Sequence, residues 1–375
     1  MKTQKLVEVL NFVKQVFVGK DEIIDLLGIA MLARENAFLF GPPGTAKSAI
    51  VRQLSLCVEN GKNFEYLLTR FTEPNEIFGP FDIRKLKDGD LVTNTEGMMP
   101  EASLIFLDEI FNANSAILNS LLLALNEKLF RRGKEVKKLP ALMFVGASNM
   151  LPEDETLAAL LDRFLIRVNC DYVDTDLLES VLHAGWKLES NLLETRPTIT
   201  PDEIIAMQKD TRSVDLSPII SEYVALIHTV RNAGIKVSDR RAVKVQSLIA
   251  ASASICGRTS ATISDLWVLK YIWDTEEQIE ILAGIVNKAL ENDTSNNQHP
   301  QARENKIPDP EVLAKEVHQL IEKWEGGEVS YEEQNTIKDK LRFIQNRANW
   351  IQASEAKIEL LNQIEGLWKR MLETA

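Results

Sequence analysis

Residues 41–48 of this chain have the sequence Gly-Pro-Pro-Gly-Thr-Ala-Lys-Ser. They follow the apolar run Ala37-Phe-Leu-Phe40, and residues 49–58 place apolar side chains at helical spacing. A buried strand, a glycine-rich turn and a helix form the context in which a P-loop binds phosphate. Glycines let backbone N–H groups approach phosphate oxygens, and a helix N-terminus attracts negative charge. The stretch therefore predicts a site for a nucleoside triphosphate.

The side chains of this stretch predict individual roles. Lys47 is expected to reach the β and γ phosphates, and the Ser48 hydroxyl is expected to ligate Mg²⁺. Ala46 stands where the consensus has a second glycine, and we expect it to adopt helical φ and ψ. The predicted ligands are therefore ATP and Mg²⁺. The predicted nucleotide-binding residues of the loop are Gly41, Pro42, Pro43, Gly44, Thr45, Ala46, Lys47, Ser48 and Ala49.

A pair of acidic residues, Asp108 and Glu109, directly follows the apolar run Leu104-Ile-Phe-Leu107. Two carboxylates at the end of a buried strand are costly unless a cation compensates their charge. Asp108 is predicted to face the P-loop and hold Mg²⁺, and Glu109 to polarise the attacking water as a general base. The alternative is that both carboxylates belong to a solvated strand end.

Residues 1–195 alternate predicted strands with predicted helices. The expected strands are Ala37–Phe40, Leu104–Leu107, Ala141–Gly146 and Ile166–Cys170. Helices are expected at residues 3–17, 21–33, 49–58 and 117–129, with Asp21 as the N-cap of the second. This alternation predicts an α/β domain, in which a parallel sheet is sandwiched by helices.

The rest of the chain is predicted to be helical. Residues 196–290 form an all-α domain, and the polar residues 291–308 form a linker. Residues 309–375 form a helical hairpin with Gly326-Gly327 in its turn. The core of this hairpin is expected to contain Trp324, Trp350 and Trp368.

The composition favours a globular protein of the cytoplasm. The formal net charge is −12 and the pI is about 5.1, a balance that argues against nucleic acid as the main partner. Three cysteines without a CxxC pair and four histidines provide no evident zinc ligand set. No apolar stretch approaches the roughly 18 residues of a membrane span, so no membrane insertion is expected.

Further motifs occur along the chain in a fixed order. After the P-loop come Phe106-Leu-Asp-Glu-Ile-Phe-Asn-Ala-Asn114, then Ala147-Ser-Asn149, then Leu160-Leu-Asp-Arg-Phe164. This order resembles that of AAA+ ATPases, and the motifs resemble the MoxR family, in particular its RavA-like branch. The resemblance covers residues 16 to about 290, and it implies that the all-α domain is an AAA+ lid.

The resemblance implies two further catalytic residues. Asn149 matches sensor 1, whose amide orients the attacking water, although the residue could simply form a turn at the strand end. Arg163 matches the arginine finger, which acts on the nucleotide of a neighbouring subunit. Arg163 could equally form a local salt bridge with Asp162.

Other positions match the family less specifically. Arg240, in the helix start Ser238-Asp-Arg-Arg241, matches sensor 2, and Arg241 is the alternative; both could also belong to a solvated helix start. Val18 and Gly19 match the turn that packs on adenine, although a plain connecting turn is also compatible with them.

The resemblance finally implies a ring oligomer, expected to be a hexamer, that remodels or matures a partner protein in a chaperone-like manner. The implied partners are a client and a protein with a von Willebrand factor A domain. Residues 71–100 and the hairpin 130–137 would project towards the pore; Arg131, Arg132, Lys134, Lys137 and Lys138 make this hairpin basic. The basic hairpin could bind an acidic partner, but a solvated hairpin is the simpler interpretation. The alternatives are a magnesium-chelatase-like metal-insertion motor, a nucleic-acid-remodelling motor and a nucleotide-dependent scaffold.

Overall fold

A computed structural model provides the structure of the protein. It divides the chain into two compact units, Met1–Arg303 and Glu304–Ala375. It describes residues 3–82, 84–85, 92–132, 135–152, 154–173, 175–190, 196–291, 293, 297–303, 310–325, 334, 337–338, 341–342, 344–345, 348 and 355–373. Among these residues, no helix is both long and apolar enough to cross a membrane.

The described strands and helices have the following bounds. The strands are β1 Ala37–Phe40, β2 Asn63–Leu67, β3 Leu104–Asp108, β4 Leu129–Arg132, β5 Glu135–Lys138, β6 Met143–Ser148 and β7 Ile166–Asn169. The helices of the first unit are α1 Gln4–Val16, α2 Asp21–Ala33, α3 Lys47–Leu56, α4 Pro74–Phe78, α5 Ser115–Glu127, α6 Glu155–Leu161, α7 Leu178–Glu189, α8 Pro201–Thr211, α9 Ile220–Asn232, α10 Asp239–Ile255, α11 Glu277–Leu290 and α12 Pro300–Arg303. Short 3-10 helices are Met99–Glu101, Ile110–Asn112, Thr175–Leu177, Ser217–Ile219 and Ile263–Tyr271.

Five strands form a parallel sheet in the order β2-β3-β6-β1-β7, which confirms the predicted α/β class. Phe40, the last residue of β1, is in register with Ser148 and Asn169, and Leu67 is in register with Asp108. The strands therefore end together at one edge, which we call the carboxyl edge. We call the opposite edge, where the strands begin, the amino edge.

The edge strand β2 was not predicted from the sequence. Its residues alternate between exposed and more buried positions, so it lacks the continuous apolar run that marks β1, β3 and β6. Its partner on one side is β3, and its other side is the border of the sheet. A half-exposed strand of this kind resembles a polar loop in sequence.

The first two helices bury apolar residues at helical spacing, and α2 packs on β1 and β7. Helix α1 buries Leu6, Val9, Leu10 and Val13 along one face, whereas α2 is buried along almost its whole length. Asp21 was wrongly predicted as the N-cap of α2: the N-cap is Lys20, and Asp21 is the first helical residue. An acidic side chain is still stabilising at that position, because it lies at the positive end of the helix dipole.

The helical second half of the first unit packs around two buried tryptophans, Trp267 and Trp273. The predicted helix Ile263–Asp274 forms as the 3-10 helix Ile263–Tyr271. Its start is fixed by a capping box, in which Thr262 and Asp265 satisfy each other's backbone N–H groups. The all-α character predicted for this part of the chain agrees with the described elements.

Part of the segment predicted as a linker packs against the first unit. The His299 ring is buried and stacks on Trp267, with 4.7 Å between the ring centroids. The Gln301 amide donates to the Asp25 carboxylate at 3.2 Å. Burial lowers the pKa of His299 to about 3, so the ring packs in its neutral form. Polar composition suggested a solvated segment, but these two side chains have specific partners.

The second unit is helical and has its own apolar core. Helices α13 Pro310–Glu325 and α14 Glu355–Glu373 contribute its longest described elements. Trp324 and Trp368 pack against this core, as predicted. Trp350 and the predicted turn at Gly326-Gly327 lie outside the described residues. The buried core side chains are Leu313, Val317, Leu320, Ile337, Leu341, Ile344, Ala348, Leu360, Ile364, Leu367 and Met371.

Candidate nucleotide site

The glycines of the P-loop occupy backbone positions that a side chain would block or strain. Gly41 has φ +144°, and a Cβ atom there would lie 2.2 Å from the Cys170 carbonyl oxygen. The Gly41 N–H donates to the Ser148 carbonyl at 3.2 Å, which ties the loop to the end of β6. Gly44 has φ +81°, in the left-handed region that favours glycine. The loop is thus held open by its backbone at the carboxyl edge of β1.

Ala46 does not have the helical conformation that we expected. Its φ is +66° and its ψ is +16°, in the left-handed region, and it is the N-cap of α3. An L-residue pays a steric cost of roughly 1–2 kcal/mol there, which glycine avoids. The loop therefore has the backbone of the glycine consensus, with a methyl group added at a strained position.

The Lys47 ammonium lies over the P-loop. Its Nζ atom donates to the carbonyl oxygens of Gly41 and Pro42, at 2.8 Å each. Thr45 also donates to the Pro42 carbonyl, at 3.0 Å, and this bond closes the loop. Because α3 begins at Lys47, its free N–H groups face the same region. Positive charge and backbone donors therefore converge where the sequence predicts phosphate.

Ser48 and Asp108, from separate elements, meet at the carboxyl edge. The Ser48 hydroxyl donates to the Asp108 Oδ2 atom at 3.2 Å. A hydroxyl and a carboxylate are oxygen ligands of the kind that Mg²⁺ prefers, with waters and substrate phosphates completing the shell. No group of three His, Cys, Asp or Glu side chains that could hold a metal occurs among the described residues. The pair itself supplies two oxygen ligands, a set that fits Mg²⁺ shared with a nucleotide.

Glu109 follows Asp108 with a strained backbone. Its φ is +49° and its ψ is +47°, and its N–H donates to the Asp108 Oδ1 atom at 3.0 Å. Burial and, next, the negative charge of Asp108 raise the pKa of the Glu109 carboxyl, while Lys47 and a hydrogen bond with Ser148 oppose this shift. A raised pKa makes the carboxylate a stronger base, as proton abstraction from water requires.

Asn149 lies directly after β6 at the same edge, and its side chain is exposed. Its neighbour Ser148 was missed by the sequence analysis. The Ser148 hydroxyl is buried, accepts from the Met150 N–H at 3.2 Å and hydrogen-bonds Glu109. Its position inside the motif Ala147-Ser-Asn149 was the available indication, because a hydroxyl at a buried strand end needs a partner.

The predicted adenine turn, Val18-Gly19, lies beside the segment that follows β7. Gly19 has φ +74°, and a Cβ atom there would lie 2.8 Å from Val173. The neighbouring Lys20 ammonium donates to the Asp171 carbonyl oxygen. The Tyr172 hydroxyl donates to the Pro43 carbonyl at 3.2 Å, so the segment also borders the P-loop. The structure thereby brings this turn and the phosphate-binding loop to one region.

Four cationic side chains line a different pocket: Arg163, Arg240, Arg241 and Lys244. This cluster lies at the amino edge. Asn36, which immediately precedes β1, donates to the Arg163 carbonyl at 2.9 Å, and Lys244 pairs with Glu35 at 2.7 Å. The P-loop follows the other end of β1, a strand of four residues that spans about 13 Å at about 3.3 Å per residue.

The cations of this cluster have different partners. Arg163 donates to Asp162 at 3.2 Å, which is the local salt bridge considered above, and its Nε atom is buried with no partner among the described residues. Arg240 donates to the side chain of Asn126, at the end of α5. Arg241 is buried and pairs with Asp274 at 2.8 Å. Arg241 therefore stabilises the fold, whereas Arg163 and Arg240 lie away from the nucleotide site of their own chain.

The basic hairpin was predicted correctly as β4 and β5, although Gly133 and Lys134 lie outside the described residues. The Arg132 guanidinium donates to the Gly79 carbonyl at 2.7 Å and to Asn75 at 2.8 Å. It also lies over the Phe81 ring, 3.9 Å from the centroid. These contacts join the two segments that the sequence predicted to face a pore.

Comparisons with known proteins agree with this geometry. Residues 4–209 match a family model described as the MoxR domain in MoxR-vWA-beta-propeller ternary systems. The chain belongs to the MoxR family of AAA+ ATPases. Residues 219–286 of this MoxR chain match a second model, an AAA lid domain.

Individual proteins are also similar to this chain. An uncharacterized protein of Methanocaldococcus jannaschii is 36% identical over 76% of this MoxR chain and 73% of its own length. The chaperone MoxR1 of Mycobacterium tuberculosis is 27% identical over 43% of this chain and 42% of its own length. The crystal structure of a candidate ATPase from Cytophaga hutchinsonii has a TM-score of 0.63 at 20% identity, over 76% of this chain and 94% of that one. This last similarity shows the fold alone.

Proposed function

We propose that this MoxR chain hydrolyses ATP with Mg²⁺ at residues 41–48 and uses the energy, as a ring of identical subunits, to remodel a partner protein. The observation that carries the proposal is the meeting of Ser48 and Asp108 at 3.2 Å, directly beside Glu109 and the Lys47 ammonium. A phosphate cradle, a metal-binding oxygen pair and a base with a raised pKa are the parts that hydrolysis of a triphosphate needs.

Each residue of the carboxyl edge has a defined task in this proposal. The P-loop N–H groups and Lys47 bind and orient the phosphates, and Ser48 and Asp108 hold Mg²⁺, which would neutralise phosphate charge when bound. Glu109 accepts a proton from the attacking water, and its raised pKa suits this task. Asn149 orients the same water. Val18 and Gly19 border the adenine.

Hydrolysis in this proposal needs a second copy of the chain. Arg163 and Arg240 lie at the amino edge, so they would approach the γ-phosphate of a neighbour rather than their own. A contact between the amino edge of one copy and the carboxyl edge of the next is heterologous, and repetition of such a contact gives a ring when its rotation closes and a filament when it does not. The proposal takes the closed form. We expect the ring to be a hexamer.

The partner is proposed from the family description. The matched domain is described in systems with a von Willebrand factor A protein and a β-propeller, and a relative is named a chaperone. We therefore propose that a protein with a von Willebrand factor A domain links the ring to its client in the cytoplasm. Assignment to the RavA-like branch stays a prediction, as do the domain limits 1–195, 196–290, 291–308 and 309–375.

The test uses the variant Glu109→Gln, which keeps the size of the side chain but removes the base. We expect ATP binding with little turnover, and an ATP-dependent assembly from which bound proteins can be purified and identified. Lys47→Ala is the matched control, which should lose nucleotide binding and therefore assembly. Wild-type turnover of Glu109→Gln would remove Glu109 from the mechanism. Stimulation of the ATPase by DNA would favour the nucleic-acid motor instead.

A further inference from the structure

Helix α7, Leu178–Glu189, has an apolar stripe that no described residue of the first unit buries. None of its twelve residues, all described, is buried. Leu178, Leu182 and Trp186 occur at intervals of four residues, so they form one stripe, and they are 51%, 66% and 70% exposed. A surface helix normally buries such a stripe, and a large contiguous apolar patch usually marks an interaction site.

The position of α7 relates this stripe to the nucleotide site. The chain leaves β7 at the carboxyl edge, passes Tyr172, which donates to the P-loop at Pro43, and enters α7 after the turn Thr175–Leu177. Leu177 also lies against Gly19 of the predicted adenine turn. A protein that covers the stripe therefore borders the carboxyl edge.

The amino edge offers a surface of complementary character. On α10 and the residues before it, Lys236, Arg240 and Val243 are exposed, and Val243 is a 67% exposed apolar side chain. The exposed carboxylate there, Asp239, pairs with Arg231 at 2.8 Å. Around the stripe of α7, Asp176, Glu179 and Glu189 are exposed carboxylates, beside the exposed cation Lys187. An apolar side chain in a net positive surface thus matches an apolar stripe in a net negative surface, the arrangement that sets orientation in an interface.

We propose that the stripe Leu178, Leu182 and Trp186 is an assembly surface, covered by the α10 face of a second copy of this chain. The inference rests on the proposed function, because the same head-to-tail contact brings Arg163 of one copy towards the P-loop of the next. Each copy presents both surfaces at opposite edges, so the contact does not saturate in a dimer and propagates around a ring. Trp186 is its central aromatic anchor, since tryptophan is enriched among residues that dominate binding.

The test measures assembly of the full chain with Mg²⁺ and ATP by sedimentation velocity. Trp186→Ser, and separately Leu182→Ser, should weaken assembly at least tenfold, while each isolated subunit still binds ATP with wild-type affinity. The matched control is Val224→Ser, which removes a 48% exposed apolar side chain from α9, and it should assemble as the wild type does.

A charge exchange identifies the occupant of the stripe. Glu179→Lys and Lys236→Glu should each weaken assembly, and an equal mixture of the two variants should recover part of it, because the reversed charges then face each other across one interface. Unchanged assembly of Trp186→Ser would overturn the inference while leaving the proposed ring intact. If Trp186→Ser assembles as the wild type does but its residues 304–375 are cleaved faster by protease, the stripe is covered by those residues instead of by a second copy. A wild-type chain that hydrolyses ATP as a monomer would instead overturn the ring itself.

Discussion

The two edges of the parallel sheet differ in charge and in backbone conformation. The carboxyl edge combines Asp108 and Glu109 with Lys47, whereas the amino edge gathers arginines and lysines that face away from the P-loop. Non-glycine residues with left-handed backbones occur at both edges. At the amino edge they are Asn60, in the turn before β2, and Arg34 and Lys128, the C-caps of α2 and α5, where that conformation is common.

At the carboxyl edge the left-handed residues are Ala46 and Glu109, and each of them begins a helix. Capping does not require that conformation at a helix start, because an N-cap residue normally has an extended backbone. Strain of this kind persists where surrounding structure imposes it, and it concentrates at functional sites. The comparison supports the proposal that the carboxyl edge is shaped for chemistry and that the amino edge carries charges for a neighbouring subunit.

The largest expected effect comes from Arg163, which in the proposed ring acts on the nucleotide at the carboxyl edge of a neighbouring subunit. Arg163→Ala should lower turnover by about 10³-fold, because an arginine finger contributes on that order. ATP binding should change little, since the arginine lies at the edge opposite to its own P-loop. Steady-state ATPase rates and equilibrium nucleotide binding, measured on the same preparation, would check this prediction.

A mixture of two variants tests whether the two edges cooperate across subunits. Arg163→Ala has an intact P-loop and Glu109, and Glu109→Gln binds ATP and has an intact Arg163, so mixed rings contain some interfaces in which both Glu109 and Arg163 are native. We expect the mixture to be more active than either variant alone. If the mixture gains nothing while mixed rings form, the two edges do not cooperate across subunits.

The next effect concerns Asn36, a buried residue at the amino edge that directly precedes β1. Its amide donates to the carbonyls of Leu125 and Arg163, and its Oδ1 atom accepts from the Lys128 ammonium. Asn36→Asp keeps the size but loses both donors, so the backbone of Arg163 should shift. We expect kcat to fall roughly 10- to 100-fold with KM nearly unchanged, as for a misplaced catalytic group.

A purely structural role for Asn36 predicts a different pattern. The variant would then lose folded protein, nucleotide binding and turnover in equal proportion. Thermal unfolding beside the kinetic measurement distinguishes the two outcomes. Ser120→Ala, at a half-buried position on α5 whose hydroxyl donates to the Ala116 carbonyl of its own helix, is the control and should change neither quantity.

Lys128 provides a smaller effect that depends on pH. Its ammonium lies 4.5 Å from the centroid of Phe144, and loss of hydration lowers the pKa of Lys128 to about 7. The unfolded chain has the ordinary pKa of 10.5, so it binds more protons than the folded chain between about pH 7 and 10.5. The free energy of unfolding should therefore fall as pH is lowered through this range, by up to about 1.4 kcal/mol per pH unit.

The variant Lys128→Met should lack this contribution. Urea titrations between pH 7 and 10 would show a flatter dependence of the free energy of unfolding on pH than in the wild type. Parallel curves for the two proteins would mean that the ammonium keeps an ordinary pKa. The Lys128 ammonium would then be more hydrated than its buried position indicates.

The sequence predicted the features that depend on neighbouring residues along the chain. Asp108 and the P-loop follow continuous apolar runs, so both could be placed at strand ends without knowing the fold. The strand β2 and the location of Arg240 depend on which strands become neighbours and on how α10 packs, which spacing along the chain does not contain. Asn36 had no motif at all, because its role comes from bonds to residues about 90 and 127 positions away.

The conformation of Ala46 gives the smallest expected effect and tests whether strain distinguishes the carboxyl edge. Ala46→Gly removes a left-handed penalty of roughly 1–2 kcal/mol, but the unfolded glycine gains about 0.5–1 kcal/mol of conformational freedom. The variant should therefore be more stable by up to about 1.5 kcal/mol, measured by urea unfolding without nucleotide. Ala46→Val should be less stable than the wild type, because a β-branched residue tolerates positive φ poorly. Lower stability of Ala46→Gly would mean that the methyl group contributes more through packing than it costs in strain. Backbone strain at Ala46 would then not distinguish the carboxyl edge from the left-handed helix C-caps of the amino edge.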